Sequence, residues 1–154
     1  MIQKKNYIVN IEETKALATK LAHIITKGDV ITFKGNLGAG KTTFIKSLIK
    51  NIANKDIEVT SPTFNLLHLY ETTRGEIWHF DLYRLRNMHE AYELGIEDAF
   101  VYGISLIEWP EIITNILPDN RLDIEISFHD KENERVVNLS SNSEKWEDFI
   151  LNKL

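Results

Sequence analysis

The run Gly35-Asn36-Leu37-Gly38-Ala39-Gly40-Lys41-Thr42 constrains the fold more than any other stretch of the chain. A first glycine, four residues and then Gly-Lys-Thr is the spacing of a phosphate-binding P-loop, which needs a strand before it and a helix after it. Val30 to Phe33, a short apolar run, supplies the strand. Behind Lys41, the residues Phe44, Ile45, Leu48, Ile49 and Ile52 recur at helical spacing. Glycine at 35 and 40 lets the backbone turn around an anion where a side chain would clash. The amides of Gly38, Ala39, Gly40, Lys41, Thr42 and Thr43 can then point at phosphate oxygens, with the positive end of the helix behind them. Lys41 offers a charge to the β- and γ-phosphates, and the Thr42 hydroxyl can ligate Mg2+. The sequence therefore predicts a binder of nucleoside triphosphate with magnesium.

The remaining pattern predicts the class. Asn10 and Glu13 have capping-box spacing ahead of an apolar face made by Leu17, Ala18, Leu21, Ile24 and Ile25, and Gly28 is expected to stop that helix. Two extended runs, 65–71 and 76–82, flank Thr72-Thr73-Arg74-Gly75, a hairpin turn. Asn87 and Glu90 open a short helix that Gly95 ends. Ile104 to Ile107 reads as a buried strand, 122–128 and 135–139 as later strands, and Ser143 opens a last helix with Trp146, Phe149 and Ile150 facing inward. Strands and helices alternate, which gives an α/β class with a P-loop NTPase-like mixed sheet flanked by helices. With 154 residues, 43% of them hydrophobic, and no linker or repeat, residues 1–154 are expected to form a single P-loop domain.

A P-loop alone hydrolyses nothing; it needs a carboxylate near the metal, usually at the end of a neighbouring strand. Glu108 ends the apolar run 104–107, where ligands of open α/β sheets bind. The alternative for Glu108 is an ordinary loop glutamate. Alternation along 79–84 puts His79, Asp81 and Tyr83 on one strand face. Such a face reads first as a solvated sheet surface, with the nucleotide cleft as the alternative. Ser61-Pro62-Thr63-Phe64 reads as a turn before a strand, or else as a switch loop sensing the γ-phosphate. Trp109 either lines the cleft or packs.

Other classes are disfavoured. The net charge of -5 makes a poor autonomous nucleic-acid binder, whose partner's phosphates call for Lys and Arg. There is no cysteine for a disulfide framework or a cysteine metal site, and no histidine pair has ligand spacing. No apolar run reaches the roughly 20 residues of a membrane span, and residues 1–6 lead into no signal-peptide core. The cytoplasm is the expected location.

Several motifs in order carry a resemblance to a known family. Gly-Asn-Leu-Gly-Ala-Gly-Lys-Thr-Thr-Phe at 35–44, Ser-Pro-Thr-Phe at 61–64, His-Phe-Asp-Leu-Tyr-Arg-Leu at 79–85, Glu-Leu-Gly-Ile at 93–96 and Ile-Ser-Leu-Ile-Glu-Trp-Pro-Glu at 104–111 resemble the TsaE family, also called YjeE. The resemblance covers residues 10 to 118 closely. Asn36 stands where that family usually has Asp, and Asn65 where it usually has Thr. The resemblance implies an ATPase, with ATP and Mg2+ as cofactors, in the making of threonylcarbamoyladenosine in tRNAs that read ANN codons. It implies TsaD and TsaB as partners, tRNA met through their complex, and no transfer of the threonylcarbamoyl group by this chain. Carried over, Lys41 binds phosphate, Thr42 and Glu108 hold magnesium, and Asp81 helps water or metal, which moves Asp81 from a solvated face into the cleft. Thr43 and Thr63 touch or sense phosphates, Trp109 sits at the nucleotide and partner side, and Thr14 and Arg135 border the adenine. A small metabolite kinase and a non-catalytic nucleotide-sensing module are the alternatives. The arginines at 74, 84, 86, 121 and 135, with no lid insertion, weigh against the kinase.

Overall fold

A computed structural model of the chain describes residues 3–36 and 38–154. Leu37 of the glycine-rich run, and Met1 and Ile2 of the N-terminal segment, lie outside the described residues.

The chain builds a seven-stranded mixed sheet in the order β1-β7-β6-β2-β5-β4-β3. Its strands are β1 (Gln3–Val9), β2 (Val30–Lys34), β3 (Leu67–Thr72), β4 (Gly75–Asp81), β5 (Ile104–Glu108), β6 (Leu122–Phe128) and β7 (Arg135–Ser141). The central strand β2 runs parallel to β5 and β6, and β5 parallel to β4. The outer pairs, β3 with β4, β6 with β7 and β7 with β1, are antiparallel. β5 is buried along its whole length and β2 up to Phe33. That is why both read as unbroken apolar runs rather than as alternating patterns.

Helices cover both faces. On one face lie α1 (Ile11–Ala22), α2 (Lys41–Ala53) and α5 (Glu144–Asp148). There Leu21, Phe44, Leu48 and Trp146 pack on Ile31, Phe33, Ile77, Ile104 and Leu106. On the other lie α3 (Met88–Glu93), α4 (Ile96–Tyr102) and a 3-10 segment, Pro110–Ile116. There Ala91, Ile96, Ala99 and Ile113 pack on Val30, Phe80 and Ile107. The two-residue period of β4 therefore turns His79 and Asp81 toward the α2 face, beside Ile77, and that of β5 turns Glu108 the same way, beside Leu106.

Local signals mostly formed as the sequence predicts. Asn10 caps α1 in a full capping box with Glu13, and Phe44, Ile45, Leu48, Ile49 and Ile52 are the buried side of α2. The hairpin turns at Thr73 and Arg74, and Asn87 caps α3 by accepting the Glu90 amide. Other boundaries differ. α1 ends at Ala22, so Ile24 and Ile25 lie beyond it and Gly28 does not stop it. The Asp29 carboxylate instead accepts the Thr26 amide at 2.7 Å and anchors Lys145, shaping its own turn. Gly95 does end α3 but also starts α4, which the sequence pattern does not announce. β1, whose sequence lacks clean alternation, pairs as the edge strand beside β7.

Candidate functional site

The C-terminal ends of β2, β4, β5 and β6 gather at one end of the sheet. The turn from β6 returns β7 at Arg135, opposite Phe128. Val9, which pairs with Arg135, leads there into the capped start of α1. The glycine-rich loop joins β2 to α2 in the middle of this rim. Gly35 has a positive φ of 147°, and a Cβ there would collide with the Ile126 carbonyl oxygen. Gly40, at φ 111°, sits at the start of α2 in left-handed conformation and provides no side-chain cap. The first amides of α2 are therefore left for an anion.

Lys41 is nearly buried and folds back over its own loop. Its Nζ donates to the Gly35 carbonyl and, at 3.2 Å, to that of Asn36. The Trp109 ring lies 4.0 Å from the same nitrogen, a cation–π contact. Burial lowers the Lys41 pKa, while the charges of Glu108, Asp81 and Glu111 work to raise it. Trp109 reaches this position from a left-handed backbone, φ 58°, just past β5, and packs on Tyr83 at 4.7 Å.

Two carboxylates face the loop. Asp81 and Glu108 are register partners at the ends of β4 and β5. Glu108 is 3% exposed. Its Oε1 lies 3.5 Å from Thr42 Oγ1 and its Oε2 accepts from His79 Nε2 at 2.8 Å. Asp81 is 6% exposed. Its Oδ1 accepts the Tyr83 amide at 3.1 Å and its Oδ2 the Thr63 hydroxyl at 3.2 Å. The solvated face expected for His79, Asp81 and Tyr83 is thus not what forms. The first two are buried against the α2 side, and only Tyr83, past the strand end, is half-exposed. Alternation in the sequence cannot tell a covered face from an open one. The turn expected over 61–64 forms at residues 63–65, which shortens the extended run expected from Asn65, and it sets Thr63 on Asp81.

Burial pushes the Asp81 carboxyl above its ordinary value, and the Glu108 charge adds to this. The Tyr83 amide, the Thr63 hydroxyl and His79 pull the other way. A raised carboxyl contributes stability that is full below its unfolded-state pKa and is lost as pH rises through the folded one. Asp81→Asn keeps the acceptor for the Tyr83 amide and removes the charge. It should raise the melting temperature of the nucleotide-free protein at neutral pH, with the gain shrinking toward acid. Thermal melts across pH check this; an equal gain at every pH would contradict it.

These residues line two adjoining cavities that share Gly38, Gly40 and Thr43. One, of about 220 Å³, is walled by Lys41, Thr42, Ser61, Thr63, Asp81, Glu108 and Trp109. The other, of about 380 Å³, lies between Thr14, Ala39, Arg135 and the apolar Val9, Ile11, Ile126 and Val137, with Asn10 and Asn133. Its size lies within the roughly 300–1,000 Å³ usual for small-molecule sites. Arg135 is held at the wall by the Ala39, Glu132 and Glu134 carbonyls and by the Phe128 ring. Of the candidate site residues, Thr14, Ala39 and Arg135 line the larger cavity, Lys41, Thr42, Thr63, Asp81, Glu108 and Trp109 the smaller, and Gly38, Gly40 and Thr43 both, while Gly35, His79 and Tyr83 line neither. Asn133 and the tie from His79 to Glu108 carry no signal of their own in the sequence, and Ser61 enters only through the 61–64 segment. Only the alternation that grouped His79 with Asp81 pointed toward that tie.

The donor set fits a magnesium nucleotide. Among the described residues, no group of three or more His, Cys, Asp or Glu is arranged to hold a metal ion. A hydroxyl and one or two carboxylates suit a cation that brings phosphate oxygens and water with it, as Mg2+ does. Among the described residues, no helix is long and apolar enough to cross a membrane.

Comparisons with known proteins agree on one family. The family model described as "Threonylcarbamoyl adenosine biosynthesis protein TsaE" matches residues 8–137. The chain is 42% identical over 134 residues to the tRNA threonylcarbamoyladenosine biosynthesis protein TsaE of Rickettsia felis, covering 87% of this chain and 78% of that one. It is 37% identical over 148 residues to the protein of the same description from Bacillus subtilis, covering 96% and 91%. Among solved structures, the crystal structure of Bacillus subtilis YdiB is similar with a TM-score of 0.80 at 32% identity, covering 97% of this chain and 93% of that one.

Proposed function

The chain belongs to the TsaE family of tRNA threonylcarbamoyladenosine biosynthesis, and on that premise we propose that residues 1–154 act as one Mg2+-dependent ATPase domain supporting repeated turnover of a TsaD–TsaB transferase. The observation that carries this reading is the convergence of Lys41, Thr42, Asp81 and Glu108 on one cavity that shares Gly38, Gly40 and Thr43 with a second, larger one. In this reading the base lies in the larger cavity, bordered by Thr14 and Arg135. The loop amides and Lys41 take the phosphates in the smaller one. Lys41 gives up the Gly35 and Asn36 carbonyls to do so. Thr42 and Glu108 hold the cation, which when bound draws charge from the phosphate oxygens. Asp81, released from Thr63, orients the attacking water, and Thr43 and Thr63 report the phosphates to the 61–66 loop. Trp109 closes the cavity on the partner side.

Partner activation follows from what the smaller cavity contains. Among the described residues, no arginine lines it. Arg74 is committed to the Ile25 carbonyl, Arg121 to Asp123 and Arg84 to the Phe64 ring, and Arg135 is held at the base cavity. A group supplied or positioned from outside is the usual remedy. The tRNA is met through the TsaD–TsaB complex, in a cytoplasm that suits a chain without cysteine. Partner and ATP strengthen each other's binding reciprocally.

The modified tRNA formed per TsaD–TsaB pair tests the role. With this chain and ATP, many rounds are expected; with a non-hydrolysable ATP analogue, a single round. Equal yields with ATP and analogue would leave a nucleotide-sensing module as the better reading.

A further inference from the structure

Glu108 makes one hydrogen bond that the proposed roles leave unused. His79 Nε2 lies 2.8 Å from Glu108 Oε2, and since a carboxylate only accepts, the ring nitrogen donates. The imidazole is fully buried. Its other nitrogen, Nδ1, has no hydrogen-bond partner among the described residues. Burying an unpaired polar atom costs free energy that a leucine in the same place would not incur. Packing therefore does not account for a histidine here; the donor to Glu108 does.

The strand register explains the reach. His79 is opposite Leu106, and Asp81 is opposite Glu108. The ring thus extends diagonally, along the shared face, to the carboxylate two residues further on. Holding Oε2 leaves Oε1 toward Thr42 Oγ1, 3.5 Å away. We propose that His79 is a positioning residue, which fixes the Glu108 carboxylate by its Oε2 so that Oε1 and the Thr42 hydroxyl are presented together to the cation of a magnesium nucleotide. The assignment rests on the reading of Thr42 and Glu108 as the cation's protein ligands. Without the tether, the carboxylate is free to turn Oε1 away from the Thr42 hydroxyl, and the two oxygens are no longer presented together.

The test compares affinity for a non-hydrolysable ATP analogue with and without Mg2+, by calorimetry, in folded variants. His79→Leu keeps the bulk and removes the donor, and His79→Gln keeps a donor at similar reach. Loss of such an outer hydrogen bond typically costs about 10–100-fold in metal affinity. His79→Leu should lower the magnesium-dependent gain in affinity by about that factor and leave the magnesium-free affinity near wild type. His79→Gln should restore most of the gain. In a Glu108→Ala background, His79→Leu should change nothing further. If leucine prevents folding, His79→Asn, whose shorter amide falls short of Oε2, makes the same comparison. A wild-type gain that His79→Leu or His79→Asn retains in full overturns the assignment. So does an equal loss with and without Mg2+, which marks a purely structural residue. No magnesium gain in the wild type would instead remove the reading of Glu108 itself, and this assignment with it.

Discussion

Glu108→Ala is expected to lower phosphate release by about 10²–10³-fold, the cost of removing one preorganised charge-stabilising group. Affinity for nucleotide without magnesium should hold or rise, because a negative charge beside the phosphates has been removed. Lys41→Ala should show the opposite signature. Truncating one side of a desolvated charge pair costs roughly 2–5 kcal/mol, and about 1.4 kcal/mol is tenfold. Nucleotide affinity should therefore fall by roughly 30- to 4,000-fold, with or without magnesium. The fold should survive, since among the described residues Lys41 Nζ touches only loop carbonyls and the Trp109 ring. Calorimetric titration and phosphate release on the same two variants separate these roles. Normal turnover in Glu108→Ala would make Glu108 a bystander. Unchanged affinity in a folded Lys41→Ala would remove the phosphate-loop assignment.

The loop, its strand and its helix were legible because each signal is local. Glycines at fixed spacing, an apolar run and a 3.6-residue period need no knowledge of distant residues. Glu108 was legible for the same reason, as the carboxylate that ends a buried strand. Asp81 was harder. Alternation grouped it with His79, but whether that face met solvent or α2 depended on a sheet order that brings β4 beside β5. The register pairing Asp81 with Glu108 and the diagonal from His79 to Glu108 are consequences of that order. Arg135 followed only from family resemblance. Its placement at the larger cavity comes from the antiparallel return of β7 beside β6, far from the loop in sequence. β1 carries little sequence signal because an edge strand with one partner shows little hydrophobic pattern, and the apolar period through Ile24 and Ile25 outruns α1, which ends at Ala22 ahead of the turn that Asp29 makes.

Partner activation is the largest effect expected. The smaller cavity holds a loop, a lysine, four hydroxyls and two carboxylates, and among the described residues no arginine. A stabilising group supplied or positioned by a partner is worth ~10³–10⁵ in rate in related phosphate chemistry. Docking that lifts Thr63 from Asp81 would also free that carboxylate for water, breaking the 3.2 Å contact that now occupies it. The most direct measurement is steady-state phosphate release from ATP by the chain alone, with TsaD, with TsaB and with both. Slow release is expected in the first three mixtures and a rise of about 10³-fold or more in the last. Equal rates in all of them would contradict a partner-activated ATPase.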